Sequence, residues 1–205
     1  MLIDRPISAV ALTAQTDPFL QFAQWFDAAA GREVNDPNAM SLATVGADGR
    51  PSVRIVLLKG FDADGFVFYT NTQSRKGGEL LANPFCALTF HWKTLERQVR
   101  IEGKAALVSD AEADSYYHSR PHGSQIGAWA SEQSRPLPDR ATLEARVAEM
   151  EQRYPEGAVP RPPHWTGFRV VPDRVEFWQG MPYRLHDRMV YERDGAGWST
   201  HRLYP

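Results

Sequence analysis

Residues Met40–Thr70 read MSLATVGADGRPSVRIVLLKGFDADGFVFYT, and the period of two that begins there decides the fold class. Met40–Ala47 alternates as a strand does, and Ala47-Asp-Gly-Arg-Pro51 carries the Asp-Gly signal of a hairpin turn. Ser52–Lys59 reads as a second strand, Phe61-Asp-Ala-Asp-Gly65 as another Asp-Gly turn, and Gly65–Thr70 as a third strand. Three consecutive strands with short turns predict an antiparallel meander.

Working outward, Asp17-Pro18 is a helix start, with Asp as N-cap and Pro at the first helical position. Phe19, Phe22, Trp25 or Phe26, and Ala29 follow at helical spacing until Gly31 ends the run. Residues 1–16 lack a pattern and are expected to form a mobile arm ahead of a single domain, 17–205. Beyond the meander, Ser74–Ala82 predicts a short helix, Phe85–Trp92 and Arg97–Val108 two strands, and Ser109 onward a helix towards Tyr117. Ser124–Trp129 reads as a helical turn, Asp139–Tyr154 as an amphipathic surface helix, and the proline-rich Pro155–Pro163 as an extended loop. Thr166–Val171, Arg174–Trp178, Arg184 to about Arg193 and Trp198–Leu203 complete the strands. The pattern is mainly β with peripheral helices, an antiparallel barrel of Greek-key-like type.

Composition narrows the function classes. The chain has 205 residues, 42% hydrophobic and 23% charged, enough for one full core. A formal net charge of −2 argues against a general nucleic-acid binder, which carries a basic excess. No apolar run approaches the ~20 residues of a membrane helix, and the N-terminus lacks the basic-then-apolar order of a signal peptide. The single cysteine, Cys86, allows no intramolecular disulfide and sits in an apolar run, as a buried inert thiol would. A cytoplasmic location is expected.

The cations are embedded in apolar strands or set at turns. Arg54 and Lys59 bracket Ile-Val-Leu-Leu, Arg75 and Lys76 follow Ser74 at a helix start, Arg97 and Arg100 flank Gln98-Val99, and Arg120 precedes Pro121. In a nearly neutral protein this points to discrete small anions, phosphate above all, which the Arg fork and a helix N-terminus both suit. Arg54 and Lys59 have opposite strand parity, so they reach one point only across a bulge or a strand end. In Glu176-Phe-Trp-Gln-Gly-Met-Pro-Tyr-Arg-Leu-His-Asp-Arg188, Gly180 and Pro182 mark a turn. If a strand resumes at Arg184, then Arg184, His186 and Arg188 share one face. That face reads either as a solvated edge or as an anion pocket walled by Phe177 and Trp178. His186 and Asp187, as strand neighbours, would point apart, so a direct catalytic pair is not expected. The six histidines, His91, His118, His122, His164, His186 and His201, show no metal-ligand spacing, and dinucleotide, Walker and Gly-x-Ser-x-Gly motifs are missing.

Taken together, these motifs resemble the pyridoxine/pyridoxamine 5′-phosphate oxidase family. They are Arg54-Ile-Val-Leu-Leu-Lys59, Phe68-Tyr-Thr-Asn71 with Ser74-Arg-Lys76, Glu96-Arg-Gln-Val99, and Tyr117-His-Ser-Arg-Pro121 with Ser124-Gln-Ile-Gly-Ala-Trp129. Glu176-Phe-Trp-Gln-Gly180, Arg184-Leu-His-Asp-Arg188 and the terminal Arg202-Leu-Tyr-Pro205 continue the series in the family's order, from about residue 36 to the end.

The resemblance implies an FMN-binding split barrel that forms a homodimer, each flavin in a cleft between subunits. By matching position it implies FMN contacts at Arg54, Ile55, Val56, Leu57, Leu58, Lys59, Tyr69, Thr70, Arg75, Lys76, Gln98, Gln133, Ser134, Trp178 and Arg188. Lys59, Tyr116, Arg120 and Ser124 would hold the substrate phosphate, and Arg184 and His186 would cover the pyridine ring as catalytic residues. The implied reaction is oxidation of pyridoxine or pyridoxamine 5′-phosphate by O2 to pyridoxal 5′-phosphate and H2O2, with no metal. A split-barrel oxidase acting on another ring, of the phenazine-precursor type, has no use for the phosphate set. A non-catalytic flavin or pyridoxal-phosphate binder has no use for Arg184 and His186. Two departures stand out: residues 1–16 hold only Arg5 and no Tyr where the family often has an Arg-Arg-x-Tyr-like lid, and Met181-Pro-Tyr183 occupies a turn that is usually polar.

Overall fold

The expected helix start at Asp17 is realised by its side chain. In the computed structural model, which describes residues 12–155, 157 and 159–205, α1 spans Pro18–Ala30 and Asp17 Oδ1 accepts the Phe19 N–H at 2.6 Å. The same capping chemistry starts α2 (Arg75–Ala82) at Ser74, α3 (Asp110–Ser119) at Ser109 and α5 (Arg140–Arg153) at Asp139. The helical turn expected at Ser124–Trp129 is longer, α4 running from His122 to Ala130 behind Pro121.

The strands are β1 (Ala39–Val45), β2 (Pro51–Leu57), β3 (Gly60–Asp62), β4 (Gly65–Asn71), β5 (Phe85–Trp92), β6 (Arg97–Leu107), β7 (Trp165–Gln179), β8 (Asp187–Asp194) and β9 (Gly197–Arg202). All pairings are antiparallel, in the order β2-β1-β5-β6-β7-β4-β3, with β8 and β9 added beside the second half of β7. The sheet curls until its ends meet: just past β2, the Lys59 N–H donates to Val67 O of β4 at 2.8 Å. The result is the expected antiparallel split barrel with helices outside it.

Three expectations need correction. The meander is broken, because β4 pairs not with β2 but with β7, Tyr69 opposite Gly167, while β3 and β4 form their own small hairpin. β4 is buried along nearly its whole length, and a strand apolar on both faces belongs inside a sheet, not at the edge beside β2. The two strands expected at Thr166–Val171 and Arg174–Trp178 are one continuous strand, whose register shifts opposite Glu102/Gly103. The strand expected from Arg184 begins only at Asp187; Pro182–Arg184 form a single 3-10 turn.

Phe22 of α1 fills one end of the barrel, with ring centroids 4.8–5.1 Å from Phe61, Phe66 and Phe90, and Trp25 packs edge-on against Phe177. Cys86 belongs to this core, and burial pushes its thiol up to about 12, so it is inert at physiological pH. A second, smaller core of Tyr117, Ile126, Val159 and Trp165 lies under α3–α5. Of the 1–16 arm, residues 1–11 lie outside the described residues, and with them the position of Arg5. Its described end is fastened: Leu12 is buried, its N–H donates to Asp187 Oδ2 at 2.7 Å, and Gln15 exchanges hydrogen bonds with the Tyr191 hydroxyl.

Candidate functional site

The gap between the barrel and the small core holds a cavity of about 640 Å3. β2 and its exit contribute Ile55, Val56, Leu57 and Lys59; β4 contributes Tyr69, Thr70 and Asn71; α2 contributes Lys76. The lining is completed by Tyr116 and Arg120 at the end of α3, Ser124, Gly127 and Ala128 of α4, then Ser131, Gln133 and Trp165. Lys59 lies beyond the last residue of β2, and this strand end answers the parity problem: Lys59 reaches the cavity while Arg54 faces elsewhere.

Three rings form one face. Tyr69 stacks on Tyr116 at 3.9 Å and on Trp165 at 5.4 Å, within 16° and 9° of parallel. Gly167 makes room for this stack, since a Cβ there would meet the Tyr69 ring at 2.8 Å. Burial, helped by Glu112 and Tyr116, pushes the Tyr69 hydroxyl up to about 12, so it stays a neutral donor.

The charges are one-sided: Lys59, Lys76 and Arg120 line the cavity, and among the described residues no carboxylate does. Arg120 lies over the Trp165 ring at 4.6 Å, and its buried Nη1 has no hydrogen-bond partner among the described residues. Burial lowers the Arg120 pKa against the opposing pull of Tyr116 and Tyr117. Lys76 is also buried; its ammonium donates to Gln133 Oε1 at 3.2 Å and to Ser74 Oγ at 3.4 Å. Burial first, and the charge of Arg54 second, lower its pKa. Cations withdrawn from water in this way, Lys76 fully and Arg120 in part, are costly, and an anion in the cavity would relieve that cost. Gln133 joins the walls, its Oε1 also accepting from Thr70 Oγ1 at 3.3 Å. The first turn of α2 sits tight on the 71–72 turn because Gly77 has no Cβ, which would meet Asn71 O at 2.5 Å.

The remaining expected contacts lie elsewhere. Leu58 turns into the barrel core. Arg54 and Arg75 bond the buried Glu79, outside the cavity lining. Ser134 follows Gln133 on the exposed surface with φ 73°. Gln98, Trp178 and Arg188 stand in register across β6, β7 and β8. They adjoin a second recess of about 280 Å3, lined by His91, Lys93, Glu96, Trp178, Gly180, Met181 and His186. The two hollows share no lining residue.

Arg184, His186 and Arg188 do not share a strand face, because only Arg188 is in the strand. Arg184 is exposed on the turn with φ 62°, next to Tyr183 at φ 57°. His186 lies against Trp178 (centroids 4.5 Å), and its Nδ1 accepts the Met181 N–H at 3.2 Å. Asp187 points away from it, to Leu12 and Arg202. Arg188 donates from Nε to the buried Glu176 at 2.8 Å, and Glu176 also binds Arg100 and Arg174. Among the residues the sequence reading missed are Trp165, which lines the cavity, and Glu79. The Arg75–Glu79 spacing of i,i+4 was the available signal for Glu79; for Trp165 there was none beyond an aromatic at a strand start.

Among the described residues no helix is long and apolar enough to cross a membrane, and no group of three or more His, Cys, Asp or Glu is placed to hold a metal.

Residues 26–154 match the family profile described as pyridoxamine 5′-phosphate oxidase, and residues 165–205 match the pyridoxine 5′-phosphate oxidase C-terminal dimerisation region. A pyridoxine/pyridoxamine 5′-phosphate oxidase of Rhodospirillum rubrum is 62% identical over 194 residues, covering 92% of this chain and 96% of that protein. Among solved structures, PhzG from Burkholderia lata in complex with tetrahydrophenazine-1-carboxylic acid is 35% identical with a TM-score of 0.88, covering 93% of this chain and 94% of that one. A pyridoxamine 5′-phosphate oxidase-related, FMN binding protein from Nostoc punctiforme has a TM-score of 0.72 at 18% identity, covering 95% and 100%, a likeness of fold.

Proposed function

Because the chain belongs to the pyridoxamine 5′-phosphate oxidase family, we propose that it is an FMN-dependent oxidase of pyridoxine and pyridoxamine 5′-phosphates, yielding pyridoxal 5′-phosphate. The observation that carries this reading is the cavity's charge among the described residues: three cations, no carboxylate, and a buried Arg120 nitrogen without a partner. Two phosphate-bearing molecules, cofactor and substrate, fit that inventory. Arg75 and Lys76 at the start of α2, with Arg54 behind them, would take the cofactor phosphate, and Lys59, Tyr116, Arg120 and Ser124 the substrate phosphate. When bound, FMN would supply the redox chemistry, as acceptor of a hydride from the substrate's C4′ carbon with O2 as the final oxidant, reduced to H2O2.

The chain's own residues then orient and polarise. Remote binding energy at Arg120 places C4′, and Arg184 and His186 cover the ring and restrict its motion. Within one subunit His186 borders a different hollow from Arg120, and Arg184 sits two residues before it on the exposed turn. A homodimer built through the C-terminal dimerisation region would carry one subunit's Arg184 and His186, with Gln98, Trp178 and Arg188, to the other's cavity. The exposed apolar side chains of β2 support such a cover, Val53 being 68% and Ile55 63% exposed beside the cavity mouth.

The likeness to PhzG supports a second reading, an oxidase of a carboxylated polycycle. Anaerobic addition of pyridoxine 5′-phosphate separates the two. Flavin absorbance that bleaches and returns with air is the expected result. A yellow protein that stays oxidised, yet bleaches with tetrahydrophenazine-1-carboxylic acid, would transfer the assignment to the second reading. A protein that takes up no FMN would end both.

A further inference from the structure

The cations at the start of α2 are organised by a carboxylate that lines no cavity. Glu79, one turn along α2 from Arg75, is only 8% exposed. Its Oε2 accepts from Thr44 Oγ1 of β1 at 2.5 Å, from Ser52 Oγ of β2 at 2.7 Å and from Arg54 Nη2 at 3.2 Å. Its Oε1 accepts from Arg75 Nε at 2.9 Å. Arg54 is gripped from a second direction as well, its Nη1 donating to Leu42 O and Thr44 Oγ1. Burial alone would raise the Glu79 pKa, but the hydrogen bonds from Ser52, Thr44, Arg75 and Arg54 hold it down to about 2. It is therefore charged throughout the physiological range.

Arg54, Arg75 and Lys76 gather near one helix end, and among the described residues Glu79 is the one carboxylate paired with Arg54 and Arg75. Left alone they would repel and swing apart; bonded to one fixed carboxylate, two planar guanidinium forks have defined orientations. We propose that Glu79 is a positioning residue, holding Arg54 and Arg75 in the orientation in which they join Lys76 to receive the phosphate of a flavin nucleotide. The proposal rests on the reading of the chain as an FMN protein and adds a residue that acts through others.

Removing the charge has two opposed effects. Coulomb attraction to phosphate would rise without Glu79, but that gain is screened at Arg75, which is 62% exposed. Hydrogen bonding to phosphate depends steeply on angle, and that dependence decides the sign. The test is titration of the full-length apoprotein with FMN and with riboflavin, the same ring without phosphate, comparing wild type with Glu79→Gln. The FMN dissociation constant is expected to rise about tenfold while that of riboflavin stays put. Parallel losses would make Glu79 a merely structural residue, and tighter FMN binding would make it only an opposing charge; either overturns the proposal. Ser52→Ala, which removes one bond to Glu79 and no charge, is expected to shift the FMN-to-riboflavin ratio the same way by less, and an unchanged ratio would count against the proposal. Wild-type protein that binds neither flavin overturns the FMN reading itself, whereas an FMN preference that survives intact in Glu79→Gln overturns the positioning role alone.

Discussion

The two hollows are built in opposite ways. The cavity between β2, β4 and α2–α4 has walls of packed rings and three cations, of which Lys76 is buried and held by Gln133. The recess at Trp178 and His186 is edged by an exposed turn, with two successive non-glycine residues at positive φ and Leu185 68% exposed. Left-handed backbone at Tyr183 and Arg184 costs about 1 kcal/mol or more per residue and persists where surroundings impose it. The contrast suggests a division of labour: one subunit's interior anchors phosphate, and a surface turn presents the groups that meet the reacting carbon.

That division is most exposed to test at Arg184. On the proposed roles, Arg184→Ala lowers kcat by about a hundredfold while flavin absorbance per subunit is unchanged. Equal loss of turnover and flavin would erase the distinction between the two regions. Next, Arg120→Ala raises KM for pyridoxine 5′-phosphate by about tenfold with a smaller change in kcat. An unchanged KM would remove phosphate from that wall.

The smallest effect is on acid stability. The Glu79 pKa is 4.5 when unperturbed and about 2 in the fold, so the unfolded chain binds the proton more readily. Its stabilising contribution is complete above about 4.5 and is lost as pH falls towards 2. Denaturant melts of wild type and Glu79→Gln should therefore differ most above that window and converge below it. Curves that stay parallel down to pH 2 would show that Glu79 is not charged in the fold.

Local chemistry made much of the barrel readable. Caps at Asp17, Ser74, Ser109 and Asp139 and the Asp48-Gly49 turn lie where short-range rules put them, because each depends on a side chain within three residues. Pairing did not follow from the same rules. β4 left the hairpin order for β7, nearly a hundred positions on, because a strand buried on both sides needs neighbours on both sides. The face assigned to Arg184, His186 and Arg188 failed for a local reason, since Pro182 closes a 3-10 turn and delays the strand to Asp187. Of the candidate contacts, Lys59, Lys76, Tyr116, Arg120, Ser124 and Gln133 do meet around one cavity, while Gln98, Trp178, His186 and Arg188 gather elsewhere.

The amino-acid order alone determined the β class, most element boundaries and the presence of isolated cations suited to phosphate, since these depend on periodicity, capping and side-chain chemistry. Only the tertiary structure decided which cations share a cavity, that Trp165 completes its aromatic wall and that Glu79 pairs with both Arg54 and Arg75. The reason is physical: a cavity is a property of surfaces brought together by long-range pairing, and no short window of sequence contains both of its walls.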